Sequence, residues 1–133
     1  MNGPIEGGCH CGALRYRIDE PLQYSSYCHC RICQRTMGSP AGIFAGPIRP
    51  ENVRYTTGEP KIFNTSEKAQ REFCGTCGCQ LVFHRRDGSR LSINVVTLDD
   101  PTIIEPTLHI WTESRLPWFD TRDEHPRRLQ SKA

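Results

Sequence analysis

Apolar and polar residues alternate with a period of two in several short stretches of this chain, which predicts a protein built mainly of β-strands. The clearest stretch covers residues 13–18, where Leu14, Tyr16 and Ile18 alternate with arginines. Successive side chains of a strand point to opposite faces, so one face would be buried and the other solvated. A strand is therefore predicted over 13–18.

A hairpin is predicted in the second half of the chain. Two apolar runs, over 80–86 and 90–98, flank the dipeptide formed by Asp87 and Gly88. Asp followed by Gly favours the tight turns that join antiparallel strands. Weaker strand patterns lie at four further places, over 42–45, 53–56, 61–64 and 107–111.

Helices are predicted to be few and short, because ten prolines interrupt the chain and proline breaks helix interiors. One helix is predicted over 31–36, ending near Gly38, and another over 113–119. A chain of 133 residues is too short for two stable cores, so one domain is expected over 4–122. The polar residues over 123–133 are expected to form a frayed tail.

Charge and hydropathy exclude several classes of partner. The net charge is +2, and basic residues are interleaved with acidic ones, so no basic stripe for nucleic acid is predicted. No apolar stretch is long enough to span a membrane, and no secretory signal precedes Cys9. We therefore expect a cytoplasmic protein. Its apolar content of 36% predicts a modest core that a bound metal would help to stabilise.

Cysteine is the residue type that carries the candidate chemistry. The chain has eight cysteines, and seven of them fall into three tight clusters. A disulfide framework is the alternative, but it requires an oxidising compartment, whereas clustered cysteines in a reducing cytosol more often bind metal. The clusters are Cys9 and Cys11, then Cys28, Cys30 and Cys33, then Cys74 and Cys77.

Counting ligands predicts two different metal sites. Two separated pairs, Cys9 with Cys11 and Cys74 with Cys77, can close a four-thiolate structural site. The remaining three, Cys28, Cys30 and Cys33, can converge on one metal and leave a fourth position open, as catalytic zinc sites do. Iron is the alternative metal, and the CxC spacing favours zinc over an iron–sulfur cluster.

Four segments together resemble a known enzyme family over about residues 8–119. The segments are GGCHCGALRYRI, YCHCRICQRTMGSPAGIFAG, REFCGTCGCQLVFH and HIWTESRLPWF, and they are similar to the glutathione-dependent formaldehyde-activating enzyme family. The resemblance implies antiparallel zinc-bound β-sheets of the Mss4-like, or β-tent, fold, which is shared with centromere protein V. It further implies a carbon–sulfur lyase that joins formaldehyde to glutathione, like S-(hydroxymethyl)glutathione synthase.

The resemblance assigns the two sites in the same way. Its structural zinc would be held by Cys9, Cys11, Cys74 and Cys77, and its catalytic zinc by Cys28, Cys30 and Cys33. A thiol that enters the open position would lose its proton and attack an aldehyde carbon, giving a hemithioacetal.

Two arginines flank the predicted catalytic cluster. Three thiolates leave a zinc site with a net charge of −1, which nearby cations would offset. Arg31 and Arg35 are candidates for that role and for binding the carboxylates of a glutathione-like substrate. The alternative for each is a solvated surface arginine.

Histidines and the eighth cysteine complete the candidates. His10 and His29 each lie between two cysteines, and in an extended segment both would point away from the metal. His84 ends a predicted strand, and His109 with Trp111 would form either a pocket wall or buried packing. Cys79 departs from the family pattern and is interpreted as a buried inert cysteine or a spare thiol.

Two other functions remain open from the sequence. A zinc-stabilised protein-interaction module of the same fold would also need the four-cysteine site, but it has no need for an open three-thiolate site. A methionine sulfoxide reductase of related fold ranks last, because that family uses two CxxC pairs. The sequence also leaves a homo-oligomer open.

Overall fold

Ten strands form two sheets in the computed structural model, which describes residues 3–131 and confirms the predicted mainly β fold class. One α-helix, α1 (Arg31–Met37), and four short 3-10 helices lie in this part of the chain. The strands are β1 (Ile5–Gly8), β2 (Arg15–Ile18), β3 (Tyr24–Cys28), β4 (Gly42–Ile48), β5 (Val53–Thr57), β6 (Lys61–Asn64), β7 (Ala69–Phe73), β8 (Gln80–Arg85), β9 (Leu91–Asn94) and β10 (Leu108–Ile110).

The smaller sheet is antiparallel and has the strand order β1-β2-β5. Tyr16 and Ile18 of β2 are buried at 1% and 0% exposure, as the alternating pattern predicts. The buried Tyr16 hydroxyl would be costly without a partner, and it is hydrogen-bonded to Thr97 Oγ1 at 2.8 Å. This bond ties the smaller sheet to the segment that follows β9.

The larger sheet has seven strands in the order β10-β3-β4-β9-β8-β7-β6. All neighbours pair antiparallel except β10 and β3, which are parallel. Their register places His109 beside Tyr27 and Ile110 beside Cys28. A strand from the last quarter of the chain therefore lies next to Cys28, the first of the three cysteines Cys28, Cys30 and Cys33.

Most of the apolar core lies in one cluster that both sheets and the connecting segments share. A second, smaller cluster of buried residues contains Cys28, Cys33 and Phe44, with Phe83 and Trp111 packed against it. The main cluster includes Ile5, Leu14, Tyr16, Ile18, Ala45, Ile48, Leu81, Val82, Leu91, Ile93, Val95 and Leu98. Cys28 and Cys33 thus have an apolar environment separate from the main core.

The strands predicted from alternation are all present; β6 has the predicted bounds, and the others have shifted ends. The second hairpin strand stops at Asn94 because residues Val95–Thr97 turn into a 3-10 helix. The helix predicted over 31–36 is α1, and Gly38 ends it in the left-handed conformation at φ 65°. Three strands had no prediction, namely β1, β3 and β7.

Two predictions about the end of the chain are wrong. The helix predicted over 113–119 is only a 3-10 helix over Thr112–Ser114, because Trp111 has a left-handed backbone and Pro117 follows closely. The segment expected to be frayed is instead held by backbone hydrogen bonds, and its residues 126–128 pair with His109 of β10. His109 N donates to Pro126 O and Arg128 N donates to His109 O, both at 2.8 Å. Residues 132–133 of that expected tail lie outside the described residues.

Membrane-spanning helices are absent from residues 3–131, since no helix there has the length and apolar character to cross a bilayer.

Candidate metal centres

Four cysteines from two distant turns meet between the sheets. Cys9 and Cys11 lie in the turn from β1 to β2, and Cys74 and Cys77 lie in the turn from β7 to β8. Cys11 Sγ lies 3.7 Å from Cys9 Sγ and 3.7 Å from Cys74 Sγ, and all four sulfurs lie within 4.8 Å of one another. These four residues, the four-cysteine cluster, could hold a metal ion.

Backbone amides surround the sulfurs of this cluster. Leu14 N donates to Cys9 Sγ at 3.3 Å, and the amides of Thr76 and Cys77 donate to Cys74 Sγ at 3.3 and 3.4 Å. Both turns need a left-handed residue to fold back in this way. Gly12 and Gly78 occupy those positions at φ 81° and 79°.

These amide contacts favour the thiolate form that a metal ligand requires. The Cys77 amide, with the Thr76 amide adding to it, lowers the pKa of Cys74. Hydrogen bonds from the amides of Cys11 and Cys79 lower the pKa of Cys77 to about 6. The turns therefore prepare at least two of the four sulfurs for metal binding.

Cys28, Cys30 and Cys33 form a second group, the three-cysteine cluster, whose sulfurs also lie within 4.8 Å of one another. Cys28 Sγ and Cys30 Sγ are 3.4 Å apart. Cys28 and Cys33 are buried and Cys30 is half-buried. This group also could hold a metal ion.

The change from strand to helix brings these three sulfurs together. Cys28 is the last residue of β3, and Cys30 is the N-cap of α1 with an extended backbone. Cys30 Sγ accepts a hydrogen bond from Cys33 N at 3.3 Å, as an N-cap side chain does. The first turn of the helix then directs Cys33 back toward Cys28.

Charge within the three-cysteine cluster is shared unequally. Hydrogen bonds from the Cys28 and Cys33 side chains lower the pKa of Cys30, and the positive charge of Arg71 acts in the same direction. The corresponding bond to Cys30 raises the pKa of Cys28, whose burial adds to the effect. Without a metal, the negative charge would therefore be concentrated on Cys30.

The three-cysteine cluster lines a cavity of about 430 Å³. Apolar side chains make up much of its surface, including Phe44, Phe83 and Trp111. Of the described residues that line it, five are cationic and only Glu113 is acidic. The cationic residues are Arg31, Lys68, Arg71, Arg85 and Arg90. A cavity of this size and charge suits a small anionic molecule with an apolar part.

A buried chain of polar contacts supports the loop of the three-cysteine cluster from the side of the C-terminal segment. His29 Nε2 lies 2.9 Å from His109 Nδ1, and His109 Nε2 lies 3.1 Å from a carboxylate oxygen of Asp123. Both histidines are almost fully buried, at 1% and 2% exposure. Burial lowers the pKa of His29 to about 4, which keeps its ring neutral near pH 7.

Of the other predicted site residues, some line the cavity and others do not. Arg31 and Trp111 line the cavity, whereas Arg35 is exposed and is not among the lining residues. His109 is buried against Tyr27, with ring centroids 4.6 Å apart, and does not line the cavity. Trp111 lies two residues after His109 and would share its face in a continuous strand. It lines the cavity instead, because its backbone leaves the strand conformation at φ 57°.

The remaining histidines and Cys79 lie outside both cysteine groups. His10 is exposed, and His84 Nδ1 contacts the carbonyl oxygen of Arg85 at 2.8 Å. The Cys79 thiol donates to the carbonyl oxygen of Gln80 at 3.9 Å. Burial raises the pKa of Cys79, so this residue stays a thiol beside the four-cysteine cluster.

Arg71 is a site residue for which the sequence analysis made no prediction. It lies on β7, lines the cavity and donates from Nη2 to Cys33 Sγ at 3.4 Å. One signal was available, because a period of two places Arg71 on the same strand face as Ala69 and Phe73. An arginine between apolar neighbours on one strand face indicates a buried charge.

Comparison with known proteins agrees with this arrangement. The chain matches the family model described as glutathione-dependent formaldehyde-activating enzyme over residues 4–114. A Halomonas elongata protein, provisionally named as such an enzyme, is 26% identical over 87% of this chain and 80% of its own length. An uncharacterised lyase of Schizosaccharomyces pombe is 34% identical over 62% of this chain, which spans 59% of that lyase.

A solved structure shows the same fold. The crystal structure of a Rhodobacter sphaeroides protein superposes with a TM-score of 0.59 and 26% identity, over 71% of this chain and 87% of that one. The family match covers more than half of the sequence and includes all seven clustered cysteines. The chain belongs to the glutathione-dependent formaldehyde-activating enzyme family.

Proposed function

We propose that this protein is a zinc-dependent enzyme of the carbon–sulfur lyase type. It joins a small thiol, glutathione or a similar molecule, to formaldehyde or another small aldehyde. The observation that carries the proposal is the position of the three-cysteine cluster on the surface of the 430 Å³ cavity. Within residues 3–131, the three-cysteine cluster has three ligand residues and the four-cysteine cluster has four. Three protein ligands leave one coordination position for a small molecule.

Two zinc ions per chain fit the two sets of donors, since thiolates are soft ligands that suit zinc and the four-cysteine cluster can close a tetrahedron. Cys9, Cys11, Cys74 and Cys77 would hold the structural ion, and Cys28, Cys30 and Cys33 the catalytic one. Zinc bound at the three-cysteine cluster would lower the pKa of a thiol that enters the open position.

The residues that line the cavity would bind and orient the thiol. Arg31, Lys68 and Arg90 provide positive charge for the carboxylates of a glutathione-like molecule. The rings of Phe44 and Trp111 would cover its apolar part and exclude water from the sulfur. Holding thiol and aldehyde together in this way replaces a bimolecular encounter with an oriented pair.

The addition step needs no oxidant or reductant. The S–C bond forms as the carbonyl π bond breaks, and the electron pair moves to the carbonyl oxygen. That oxygen then takes up one proton, which balances the proton that the thiol released. The product is a hemithioacetal.

Such a reaction uses free thiols, both in the substrate and in the seven clustered cysteines. A reducing compartment preserves them, so a cytoplasmic location is part of the proposal. The proposed domain covers residues 4–122 and contains both cysteine clusters, and the polar segment 123–133 pairs with it through His109.

The test is a calorimetric titration of the zinc-loaded protein with glutathione, with and without formaldehyde, followed by NMR measurement of exchange between free and adduct formaldehyde. We expect binding and faster exchange, with both lost in the Cys30→Ser variant. Binding without acceleration would indicate a thiol carrier or another carbonyl substrate. No binding at millimolar glutathione would favour the protein-interaction module.

A further inference from the structure

Arg71 is a buried cation in an apolar part of the cavity surface. Its side chain belongs to β7, and the residue is 4% exposed. The guanidinium carbon lies 5.4 Å from the ring centroid of Phe44 and 4.9 Å from that of Phe83. Contacts with aromatic faces stabilise a cation, but they do not supply the negative charge that a buried guanidinium needs as a partner. The rings alone therefore do not account for the burial.

The hydrogen bonds of Arg71 lead to the three-cysteine cluster. Nη2 donates to Cys33 Sγ at 3.4 Å, and Nη1 donates to Gln80 Oε1 at 3.0 Å. Its Nε is buried and has no hydrogen-bond partner. None of the ion pairs found in residues 3–131 includes Arg71. The nearest group able to carry a compensating negative charge is therefore a sulfur of the cluster.

The charges balance when the cluster binds a divalent ion. Three thiolates and one divalent cation sum to −1, and the adjacent guanidinium brings the sum to zero. Opposite charges a few ångströms apart in a site shielded from water attract more strongly than at the surface. Neutrality also matters for the proposed reaction, because an anionic thiolate would otherwise approach a site of the same sign.

We propose that Arg71 is the positioning residue that neutralises the three-cysteine metal site and fixes Cys33 for metal binding. This role rests on the proposed function only in that a divalent ion binds the three cysteines, and it does not depend on which thiol or aldehyde reacts. Arg31 is less suited to neutralise this metal site, because it is exposed and its Nη1 donates to Gln34 Oε1 at 2.6 Å.

The first test measures metal binding by Arg71→Gln and Arg71→Lys. Zinc per chain and zinc affinity would be measured by competition with a chromophoric chelator. We expect Arg71→Gln to bind the second zinc ion at least tenfold more weakly, on the scale of other residues that contact metal ligands. Arg71→Lys should recover most of this affinity because it restores the charge. The first zinc ion, in the four-cysteine cluster, should bind as in the unmodified protein.

Arg17→Gln is the matched control, because Arg17 lies on the smaller sheet and is hydrogen-bonded to Asp19. It should leave both zinc affinities unchanged. A second zinc ion bound as tightly by Arg71→Gln as by the unmodified protein would overturn the proposal. So would an Arg71→Lys variant that is no better than Arg71→Gln.

A second measurement applies if Arg71→Gln is too unstable to load with zinc. The thermal stabilities of Arg71→Lys and Cys33→Ser would be compared with that of the double variant. If Arg71 acts through Cys33, removing the thiolate should reduce the effect of the lysine substitution. Equal effects in both backgrounds would show that Arg71 only packs between Phe44 and Phe83. Glutathione titration is independent of these results, so failure of the proposed function and failure of this role are distinguishable.

Discussion

The buried rings of His29 and His109 share a hydrogen bond of 2.9 Å between Nε2 of His29 and Nδ1 of His109. When the His109 ring is neutral, donation from its Nε2 to the carboxylate of Asp123 leaves its Nδ1 as the acceptor, so Nε2 of His29 donates. His29 Nδ1 is then an unprotonated nitrogen, and it is buried without a partner. In that state, the carboxylate near the end of the chain determines the proton positions in the loop that carries Cys28 and Cys30.

Replacing Asp123 with asparagine is expected to destabilise the protein in a pH-dependent way. Hydrogen bonds from Thr121, with His109 adding to them, hold the pKa of Asp123 below its ordinary value of 3.8. A carboxyl group whose pKa is lower in the folded state stabilises that state above its unfolded pKa and ceases to do so as the pH falls. The difference in unfolding free energy between Asp123→Asn and the unmodified protein should be present at about pH 5 and shrink as the pH falls below about 4.

Denaturant titration of both zinc-loaded proteins at each pH measures this difference. Glu124→Gln is the matched control, because Glu124 is the exposed neighbour of Asp123. It should unfold like the unmodified protein throughout. A difference that grows as the pH falls below about 4 would contradict the assignment of Asp123 as the carboxylate that stabilises His109.

Cys9→Ser is expected to abolish soluble expression. Its sulfur belongs to the four-cysteine cluster that joins the β1–β2 turn to the β7–β8 turn, and a structural zinc supplies on the order of 10 kcal/mol of folding free energy. Soluble yield, zinc content and circular dichroism would be compared with Cys79→Ser, which alters a thiol outside the cluster. Soluble, folded Cys9→Ser protein would show that the four-cysteine cluster is not needed for folding.

Cys30→Ser is expected to keep the fold but lose one zinc ion and thiol binding. Serine is a good N-cap residue, so its hydroxyl can replace the sulfur that accepts from Cys33 N. Metal analysis should give two zinc ions for the unmodified protein and one for the variant, with the same far-ultraviolet circular dichroism. An unfolded variant would identify the three-cysteine site as structural, and one zinc ion in the unmodified protein would refute the two-site proposal.

The two arginines of α1 should differ in their effect on substrate binding. Arg31 lines the cavity and Arg35 does not, although both are exposed. Arg31→Gln should weaken glutathione binding about two- to fivefold at low salt, and less at high salt, as for other exposed charge pairs. Arg35→Gln should have no effect. Equal affinities for both variants in a calorimetric titration would exclude Arg31 as a carboxylate contact.

The sequence predicted those strands whose two faces differ in polarity. In β2 the apolar Tyr16 and Ile18 alternate with arginines, and the structure buries the apolar pair. In β3 this signal is missing, because Ser25 and Ser26 are both buried and polar. Their burial depends on partners from distant segments, such as Phe44, whose carbonyl oxygen accepts from the Ser25 hydroxyl at 3.0 Å.

Buried polar residues also explain why β7 was not predicted. Arg71 and Glu72 are charged and buried in its centre. The grouping of the cysteines could be predicted, since ligand number and spacing follow from the chemistry of zinc. The contact of Arg71 with Cys33 could not, because no spacing rule marks a residue that contacts a ligand from 38 positions away. The C-terminal segment was likewise expected to be frayed, although Asp123 has its partner 14 residues earlier.

Residues 126–128 pair with the outer side of β10, the last strand of the larger sheet. Their backbone groups bond to both the amide and the carbonyl of His109, so a strand at the sheet's margin has hydrogen-bonding partners on both sides. A chain cut after residue 114, where the family match ends, would leave this side of β10 bare, and unpaired strand edges promote aggregation. Even a cut after residue 122 would remove the acceptor that orients His109. A shortened version of this protein should therefore extend at least to Arg128.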